Sequence, residues 1–181
     1  MEFQERELTL RDGRQAVLRK PTGADGAEMA ACMGVIFGET PFLLRDAEDW
    51  NVSPEAEAAI LETLAASETS LMLAAVVEGK LVGNCSLSLN TKRKIRHRAS
   101  FGISILRAYW GLGLGTAMIR ALIDVARDHG VEQLELECIE GNDRARALYE
   151  KLGFRIAGLR TDAFRMQDGS SRSEYWMILR L

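Results

Sequence analysis

Three glycines at alternate positions, Gly111, Gly113 and Gly115, form the part of this sequence best suited to binding an anion. An apolar, strand-like segment (residues 99–106) precedes them, and a helical segment (residues 116–127) follows. A strand that turns through glycines into a helix leaves free backbone N–H groups at the helix N-terminus, where a phosphate can bind. The same glycines would equally serve as a tight connection, and this run alone does not decide between the two interpretations.

A second motif lies about 30 residues further along the chain. It begins at Asn142, continues through a short helical segment that contains Tyr149, and ends at Leu152-Gly153-Phe154. A tyrosine hydroxyl can supply a proton to a leaving group, which gives Tyr149 a candidate chemical role. Taken alone, the motif is equally typical of an amphipathic helix that ends at a glycine, with Tyr149 packed in the core.

The composition, 47% hydrophobic and 27% charged over 181 residues, predicts one globular domain spanning residues 1–181. A formal net charge of −3 gives no general attraction to nucleic acids or to a membrane surface. The three cysteines are widely spaced and form no Cys-x-x-Cys pair, so neither a disulfide framework nor a zinc site is expected. The N-terminus is charged, and no apolar run approaches the ~20 residues that span a bilayer, so we expect a cytoplasmic protein.

The apolar periodicity predicts an α/β domain with a mixed sheet. We expect a hairpin at 8–19 with Asp12-Gly13 as its turn, and strands at 70–77, 81–89, 99–106, 131–139, 154–166 and 173–181. Helices are expected at 24–36, 54–66, 116–127 and 143–152, the second with Ser53 as its N-cap and Pro54 in its first turn. Residues 37–52 have no clear period and predict a loop.

The glycine run and the motif from Asn142 to Phe154, in this order and at this spacing, resemble the GNAT superfamily of acetyl-CoA-dependent N-acetyltransferases. The resemblance covers residues 70–181 well, and the N-terminal part only in the order of its elements. It implies a mixed, mostly antiparallel sheet of about seven strands with about four helices and a splayed central strand pair. Trp110 stands where the family usually has Arg or Gln, and Tyr-Trp-Gly resembles the ribosomal-protein and spermidine acetyltransferase branch.

The resemblance implies that acetyl-CoA is the co-substrate and that no metal takes part. The pantetheine arm would lie along residues 103–105 as an added strand, and the pyrophosphate would bind the N–H groups of residues 112–116. Asn142 would hydrogen-bond the arm from the opposite wall, while Arg107 would either reach a phosphate or remain a solvated charge. The donor-binding residues implied are Ile103, Ser104, Ile105, Arg107, Trp110, Gly111, Leu112, Gly113, Leu114, Gly115, Thr116 and Asn142.

Acetyl transfer to an amine requires a base for the amine and an acid for the leaving thiolate. By resemblance, Tyr149 is the acid. A Glu often precedes the glycine run in the related branch, but Ser100 stands at that place here. Glu137 on the next predicted strand is the substitute that we expect, although Glu135 shares its face and a bound water could relay the proton instead. Cys85 and Cys138 have no obvious His partner, which favours direct transfer over a cysteine intermediate.

The acceptor is less defined. Residues 24–68 contain ten acidic side chains and one basic side chain, Arg45, so this region would either form an acidic wall for a cationic amine or present solvated helix faces. The acceptor would be a small cationic amine or the amino group of a protein or peptide. The basic run at residues 92–98 has no interleaved aromatic residue, which favours a solvated turn over a nucleic-acid site.

Two further interpretations remain open from the sequence. The chain would be a non-catalytic acyl-CoA-binding or sensor module of the same fold if it lacks a base, an interpretation favoured by Ser100. The final two predicted strands are also suited to exchange or pairing across a homodimer.

Overall fold

One eight-stranded sheet organises the computed structural model, which describes residues 1–181. The strands are β1 (Arg6–Thr9), β2 (Gln15–Arg19), β3 (Ser70–Val77), β4 (Lys80–Leu89), β5 (Arg98–Ile105), β6 (Gln133–Ile139), β7 (Arg155–Arg165) and β8 (Ser171–Arg180). The helices are α1 (Gly26–Glu39), α2 (Pro54–Ala65), α3 (Leu114–Asp128) and α4 (Asp143–Lys151). The strand order is β1-β2-β3-β4-β5-β6-β8-β7, and only the β5–β6 pair is parallel.

The structure confirms the predicted mixed, mostly antiparallel sheet with four helices, and it contains eight strands where about seven were expected. The eight strands include both strands of the predicted N-terminal hairpin and are one more than the resemblance implied; β1 pairs with β2, and β2 pairs with β3, at one edge of the sheet. Gly13 in the hairpin turn has a φ of 89°, a conformation that glycine adopts without strain. At α2, the Ser53 hydroxyl accepts a hydrogen bond from the Ala56 N–H at 3.2 Å, as its predicted N-cap role requires.

The sheet opens between β5 and β6. Only three residue pairs join these strands: Arg98 with Gln133, Ala99 with Leu134, and Ser100 with Glu135. Beyond Ser100, β5 continues to pair with β4 and β6 continues to pair with β8. Each strand therefore keeps its antiparallel partner on the outer side, and the two central strands separate as the splayed pair that was predicted.

Helices cover the two faces of the sheet unequally. The main hydrophobic core lies beneath α3 and contains Met118, Ile119 and Leu122 together with residues of β3, β4 and β5. A smaller core, with Met29 and Leu61 among its members, lies between α1, α2 and the opposite face of β3 and β4. The two helical layers therefore leave the ends of β5 and β6 between them.

The basic run at residues 92–98 forms the turn between β4 and β5, as predicted. Its last residue, Arg98, begins β5 and forms an ion pair with Glu135 at 3.2 Å. The Asn90 side-chain amide donates to the Arg98 carbonyl at 2.8 Å, which closes the turn. None of the helices combines the length and the apolar character needed to cross a membrane.

Candidate active site

A cavity of about 800 Å³ occupies the opening between β5 and β6. Its wall contains most of the residues that the sequence singled out, namely Ile103, Ser104, Ile105, Trp110, Gly111, Gly113, Gly115, Thr116, Glu137, Asn142 and Tyr149. Arg107, Leu112 and Leu114 are the predicted residues that do not line it. Segments separated by many residues in the sequence thus meet at one opening in the sheet, which we call the cleft.

The three predicted residues outside the lining have other partners. The Leu114 side chain is fully buried in the main core, so only its backbone N–H is available to a ligand. The Leu112 carbonyl accepts a hydrogen bond from the Arg11 backbone N–H at 3.1 Å. The Arg107 backbone N–H donates to Glu39 Oε2 at 2.6 Å, and its guanidinium donates to the Glu39 carbonyl. Arg107 therefore holds the end of α1 against the end of β5.

The three glycines of the run perform different tasks. Gly111 and Gly113 have φ values of 77° and 94°, in the left-handed region that favours glycine, and Gly113 is the N-cap of α3. Gly115 permits close packing instead, because a Cβ atom there would lie 3.1 Å from Leu148 Cδ2 and 3.4 Å from Ile105 Cδ1. The sequence pattern predicted that α3 begins at Thr116. In the structure it begins at Leu114, directly after the left-handed N-cap Gly113.

The start of α3 presents free N–H donors. Ala117 donates to the Gly113 carbonyl at 3.1 Å, whereas the N–H groups of residues 114–116 precede the first intrahelical acceptor. These donors lie at the positive end of the helix dipole, where Gly113, Gly115 and Thr116 line the cleft. The arrangement is suited to a phosphate group.

Two arginines beside the glycine turn were missed by sequence reasoning. Arg11 comes from the β1–β2 connection and donates to the Gly111 carbonyl at 3.3 Å, and Arg144 comes from α4. The Arg144 guanidinium lies 5.2 Å from the centre of the Trp110 ring, within the range of a cation–π contact. Only the folded hairpin brings Arg11 here, while the position of Arg144, two residues after Asn142 on the predicted helix, was a signal that could have been used.

Trp110 connects the turn to the strand before it. Its indole N–H donates to the Ile105 carbonyl at 2.7 Å, and Arg107 lies 5.5 Å from its ring centre. The indole therefore fixes the end of β5 and provides a surface for two guanidinium groups. Trp110 has no charge of its own, but Arg107 and Arg144 both lie over its ring and bring positive charge to this position.

Asn142 and Tyr149 occupy the two ends of the α4 face in the cleft. The Asn142 side-chain oxygen accepts from the Ala145 N–H at 3.3 Å and so caps α4. Tyr149 is 8% exposed, with its ring centre 6.0 Å from that of Phe101 and 6.1 Å from that of Phe154. Its hydroxyl makes no hydrogen bond within the protein, and burial raises its pKa, so it stays protonated.

The structure distinguishes the two candidate base residues on β6. Glu135 pairs with Arg98, accepts from the Gln133 side-chain amide at 2.6 Å and does not line the cleft. Glu137 is exposed and lines it. Ser100 lies opposite Glu135, at the last residue pair before the strands separate, and is not part of the lining. Of these three residues, only Glu137 is placed to meet a molecule in the cleft.

The cysteines are all buried and unpaired. Cys138 lines the cleft, and burial raises its pKa to about 11. Cys85 lies in the main core, and burial raises its pKa also. The Nδ1 atom of His129 is 2.9 Å from the Val125 carbonyl, so that ring is engaged elsewhere. Both cysteines therefore remain thiols at neutral pH.

Of the two interpretations of the acidic residues 24–68, the structure argues against an acidic wall, because none of their ten carboxylates lines the cleft. Several stabilise the scaffold instead: Asp25 pairs with Arg19 at 2.6 Å, and Glu28 accepts from the Leu81 N–H at 2.8 Å. This region contributes Ile36, Thr40, Phe42, Leu43 and Leu44, most of them apolar. The carboxylates in the lining come from Glu137 on β6 and Glu174 on β8.

No group of three or more His, Cys, Asp or Glu side chains is arranged to hold a metal ion.

Comparison with known proteins gives one consistent family. The model of the acetyltransferase (GNAT) family matches residues 38–154. The [ribosomal protein bS18]-alanine N-acetyltransferase of Haemophilus influenzae is 39% identical over 69 residues, which cover 38% of this chain and 47% of that protein. The chain spans about half to two thirds of the length of the first curated relatives that it matches, between 47% and 65%.

Solved structures match over nearly the whole chain. The crystal structure of a GNAT-family acetyltransferase from Streptococcus pneumoniae has a TM-score of 0.85 and 26% identity, covering 92% of this chain and 99% of that one. The structure of yncA from Salmonella typhimurium, determined with its cofactor acetyl-CoA, has a TM-score of 0.78 and 20% identity, covering 92% and 94%. These similarities establish the fold and agree with the family match.

Proposed function

Because the chain belongs to the GNAT acetyltransferase family, we propose that residues 1–181 form one N-acetyltransferase domain that transfers an acetyl group from acetyl-CoA directly to a primary amine. The acceptor is a small cationic amine or the amino group of a protein or peptide. The observation that carries the proposal is the convergence of free N–H donors, Tyr149 and Glu137 on the single opening between β5 and β6.

The residues of the cleft fit acetyl-CoA. The N–H groups at residues 112–116 bind the pyrophosphate, with Arg11 and Arg144 beside them as counter-charges. Beyond Ser100, the edge of β5 that faces β6 has no strand partner, so residues 103–105 can hydrogen-bond an extended amide-containing arm. Asn142 contributes from the opposite wall. The thioester supplies an activated acetyl group, and the protein supplies the acid, the base and the alignment.

The chemical roles follow from placement and protonation. Glu137, directly or through a water, takes a proton from the ammonium group of the acceptor, and the free amine then attacks the acetyl carbon. As the new N–C bond forms, the C–S bond breaks, and the Tyr149 hydroxyl donates its proton to the thiolate. Burial raises the pKa of that hydroxyl, so it still carries its proton when the thiolate forms beside it.

Direct transfer is favoured over a cysteine intermediate by the state of Cys138. With a pKa raised to about 11, roughly one thiol in ten thousand is ionised at pH 7. The Cys138 thiolate, which would have to attack the thioester, would therefore be scarce. Holding donor and acceptor together in the cleft avoids this step.

A non-catalytic acyl-CoA-binding or sensor module of the same fold is the second candidate. Ser100 favours it, because a hydroxyl at this position is a poor base and lies outside the cleft lining. The two candidates differ in one measurable property, which is turnover.

The test is a thiol-release assay on the purified chain with acetyl-CoA and separate amines: spermidine, an aminoglycoside, single amino acids with their amides, and peptides with a free N-terminal alanine. We expect release of CoA thiol above hydrolysis with at least one amine, matched by an equal amount of the N-acetylated product in the mass spectrum. Tight binding of acetyl-CoA without turnover on any amine would contradict an enzyme and favour the sensor.

A further inference from the structure

Glu174 is a buried carboxylate in the cleft that the sequence did not single out. Its side chain is 9% exposed, yet it forms part of the cleft wall. On β8 it lies opposite Ile139, while Trp176 lies opposite Glu137. Because directly opposed residues share a face and alternate residues return to it, Glu174 and Glu137 are diagonal neighbours on one face of the sheet.

The carboxylate of Glu174 is only partly satisfied within the protein. Oε2 accepts a hydrogen bond from Arg160 Nη1 at 2.6 Å, and this is the only hydrogen bond of the side chain. Arg160 on β7 is 72% exposed and does not line the cleft, so the cation lies behind the carboxylate. Burial and the neighbouring Glu137 raise the pKa of Glu174 more than Arg160 lowers it. A buried carboxylate with a free oxygen is suited to accept a hydrogen bond from a cation.

An irregular stretch of β7 produces this arrangement. Arg160 is paired with Glu174 and Phe164 with Arg172, so four steps along β7 match two steps along β8. Within this bulge, Asp162 has a φ of 52°, which is unusual for a residue other than glycine. The bulge places Arg160 opposite Glu174 and brings Phe164 to the cleft wall.

Charge is divided between the two sides of the cleft. The cations of its lining are Arg11, Arg144 and Lys151, from the hairpin turn and α4. The carboxylates are Glu137 on β6 and Glu174 on β8, and the lining also includes the aromatic rings of Phe42 and Phe164. An amine with an apolar body complements this second region, whereas a molecule with an anionic group beside its amine would be repelled.

We propose that Glu174 binds the amine of the acceptor and, together with Glu137, selects amines that have no anionic group beside them. The inference rests on the proposed function and defines its acceptor class. The ammonium group donates a hydrogen bond to the free Glu174 oxygen, while Glu137 takes the proton before transfer. No bond to Glu174 forms or breaks, so its role is recognition. An amino acid amide or a peptide N-terminus fits, and the corresponding free amino acid does not.

The experiment compares L-phenylalaninamide with L-phenylalanine, which differ in the charge next to the amine. Calorimetry with saturating CoA measures binding, and thiol release with acetyl-CoA measures turnover. We expect the native protein to prefer the amide by at least about tenfold in both measurements, as one charge-assisted hydrogen bond and one removed repulsion require. Glu174→Gln should weaken amide binding by about tenfold and remove most of the preference, with the Kd of acetyl-CoA unchanged.

Glu135→Gln is the matched control, because Glu135 is also a strand carboxylate paired with an arginine but lies outside the cleft. It should behave as the native protein. Equal binding of amide and acid by the native protein would overturn the proposal, and so would an unchanged preference in Glu174→Gln. The native comparison needs no variant, so it decides even if Glu174→Gln fails to fold. A Glu174-dependent binding preference without any thiol release would support this inference while contradicting the proposed enzyme.

Discussion

The two sides of the cleft are built by different means. On the donor side, the glycine turn, the free edge of β5 and the start of α3 present backbone groups, which adjacent residues hold in place. On the acceptor side, side chains from α1, the following connection, β6, β7 and β8 meet only in the folded chain. Backbone recognition tolerates changes of side chain, whereas the proposed acceptor side would depend on a few carboxylates and apolar groups. We therefore expect side-chain substitutions to alter acceptor binding more than donor binding.

The largest effect on turnover should come from Tyr149, where the proposed donor and acceptor sides meet. Tyr149→Phe removes the proposed acid and should lower kcat by about 100-fold, the lower range for general acid catalysis. The Kd of acetyl-CoA should change less than about twofold, because the ring and its contacts with Phe101 and Phe154 remain. Steady-state kinetics and calorimetry measure the two quantities. Tyr175→Phe, outside the cleft lining, is the control, and equal losses in both variants would remove Tyr149 from the acid role.

The next largest effect concerns Glu137, the proposed base, and should lower kcat without changing the affinity for acetyl-CoA. Glu137→Gln should lower kcat by about thirtyfold, since general base catalysis contributes at least that order of acceleration. Acetyl-CoA affinity should be unchanged, because the proposed donor contacts are backbone groups of β5 and of the glycine turn, which this substitution leaves in place. The same assay on Glu135→Gln should give native values. If Glu135→Gln were the more damaged variant, the assignment of the base to Glu137 would be wrong.

A glycine pair tests the donor side. Gly113→Ala and Gly130→Ala both place alanine at a positive φ, 94° and 70°, and should each cost about 1 kcal/mol of unfolding free energy. Only Gly113→Ala should raise the Kd of acetyl-CoA, by about tenfold, because only Gly113 lies at the phosphate-binding turn. Denaturant unfolding and calorimetry supply the two numbers. A similar Kd for both variants would mean that the turn does not bind the donor.

The smallest effect concerns the start of α1, the helix that contributes Ile36 to the cleft near its other end. The Arg19 guanidinium, 2.6 Å from Asp25, lowers the pKa of that carboxyl to about 2. The folded-state pKa lies below the unfolded value of 3.8, so the pair stabilises the protein above about pH 4 and loses this contribution as the pH falls toward 2. Asp25→Asn should lose about 1 kcal/mol at pH 7, after allowance for solvent screening. Denaturant unfolding should find this difference shrinking below pH 4, and a difference independent of pH would exclude the ion pair as its source.

The comparison also explains what the sequence could predict. Apolar alternation and glycine positions located all eight strands to within a few residues, since these patterns are local. The acidic composition of residues 24–68 could not decide between an acidic wall and solvated or scaffold-bound carboxylates, because the partners of Glu28 and Glu39 come from distant strands and turns. Glu174 could not be recognised, since its neighbours Glu137, on β6, and Arg160, on the bulged β7, are brought to it only by the pairing of β8 with both strands.

The central claim is that the two sides of the cleft hold donor and acceptor at the same time. Initial rates of thiol release, measured over a matrix of acetyl-CoA and amine concentrations, test it most directly. Direct transfer in a ternary complex predicts double-reciprocal lines that intersect, and the same pattern should persist in Cys138→Ala. Parallel lines, together with an acetylated Cys138 found after incubation with acetyl-CoA alone, would contradict it.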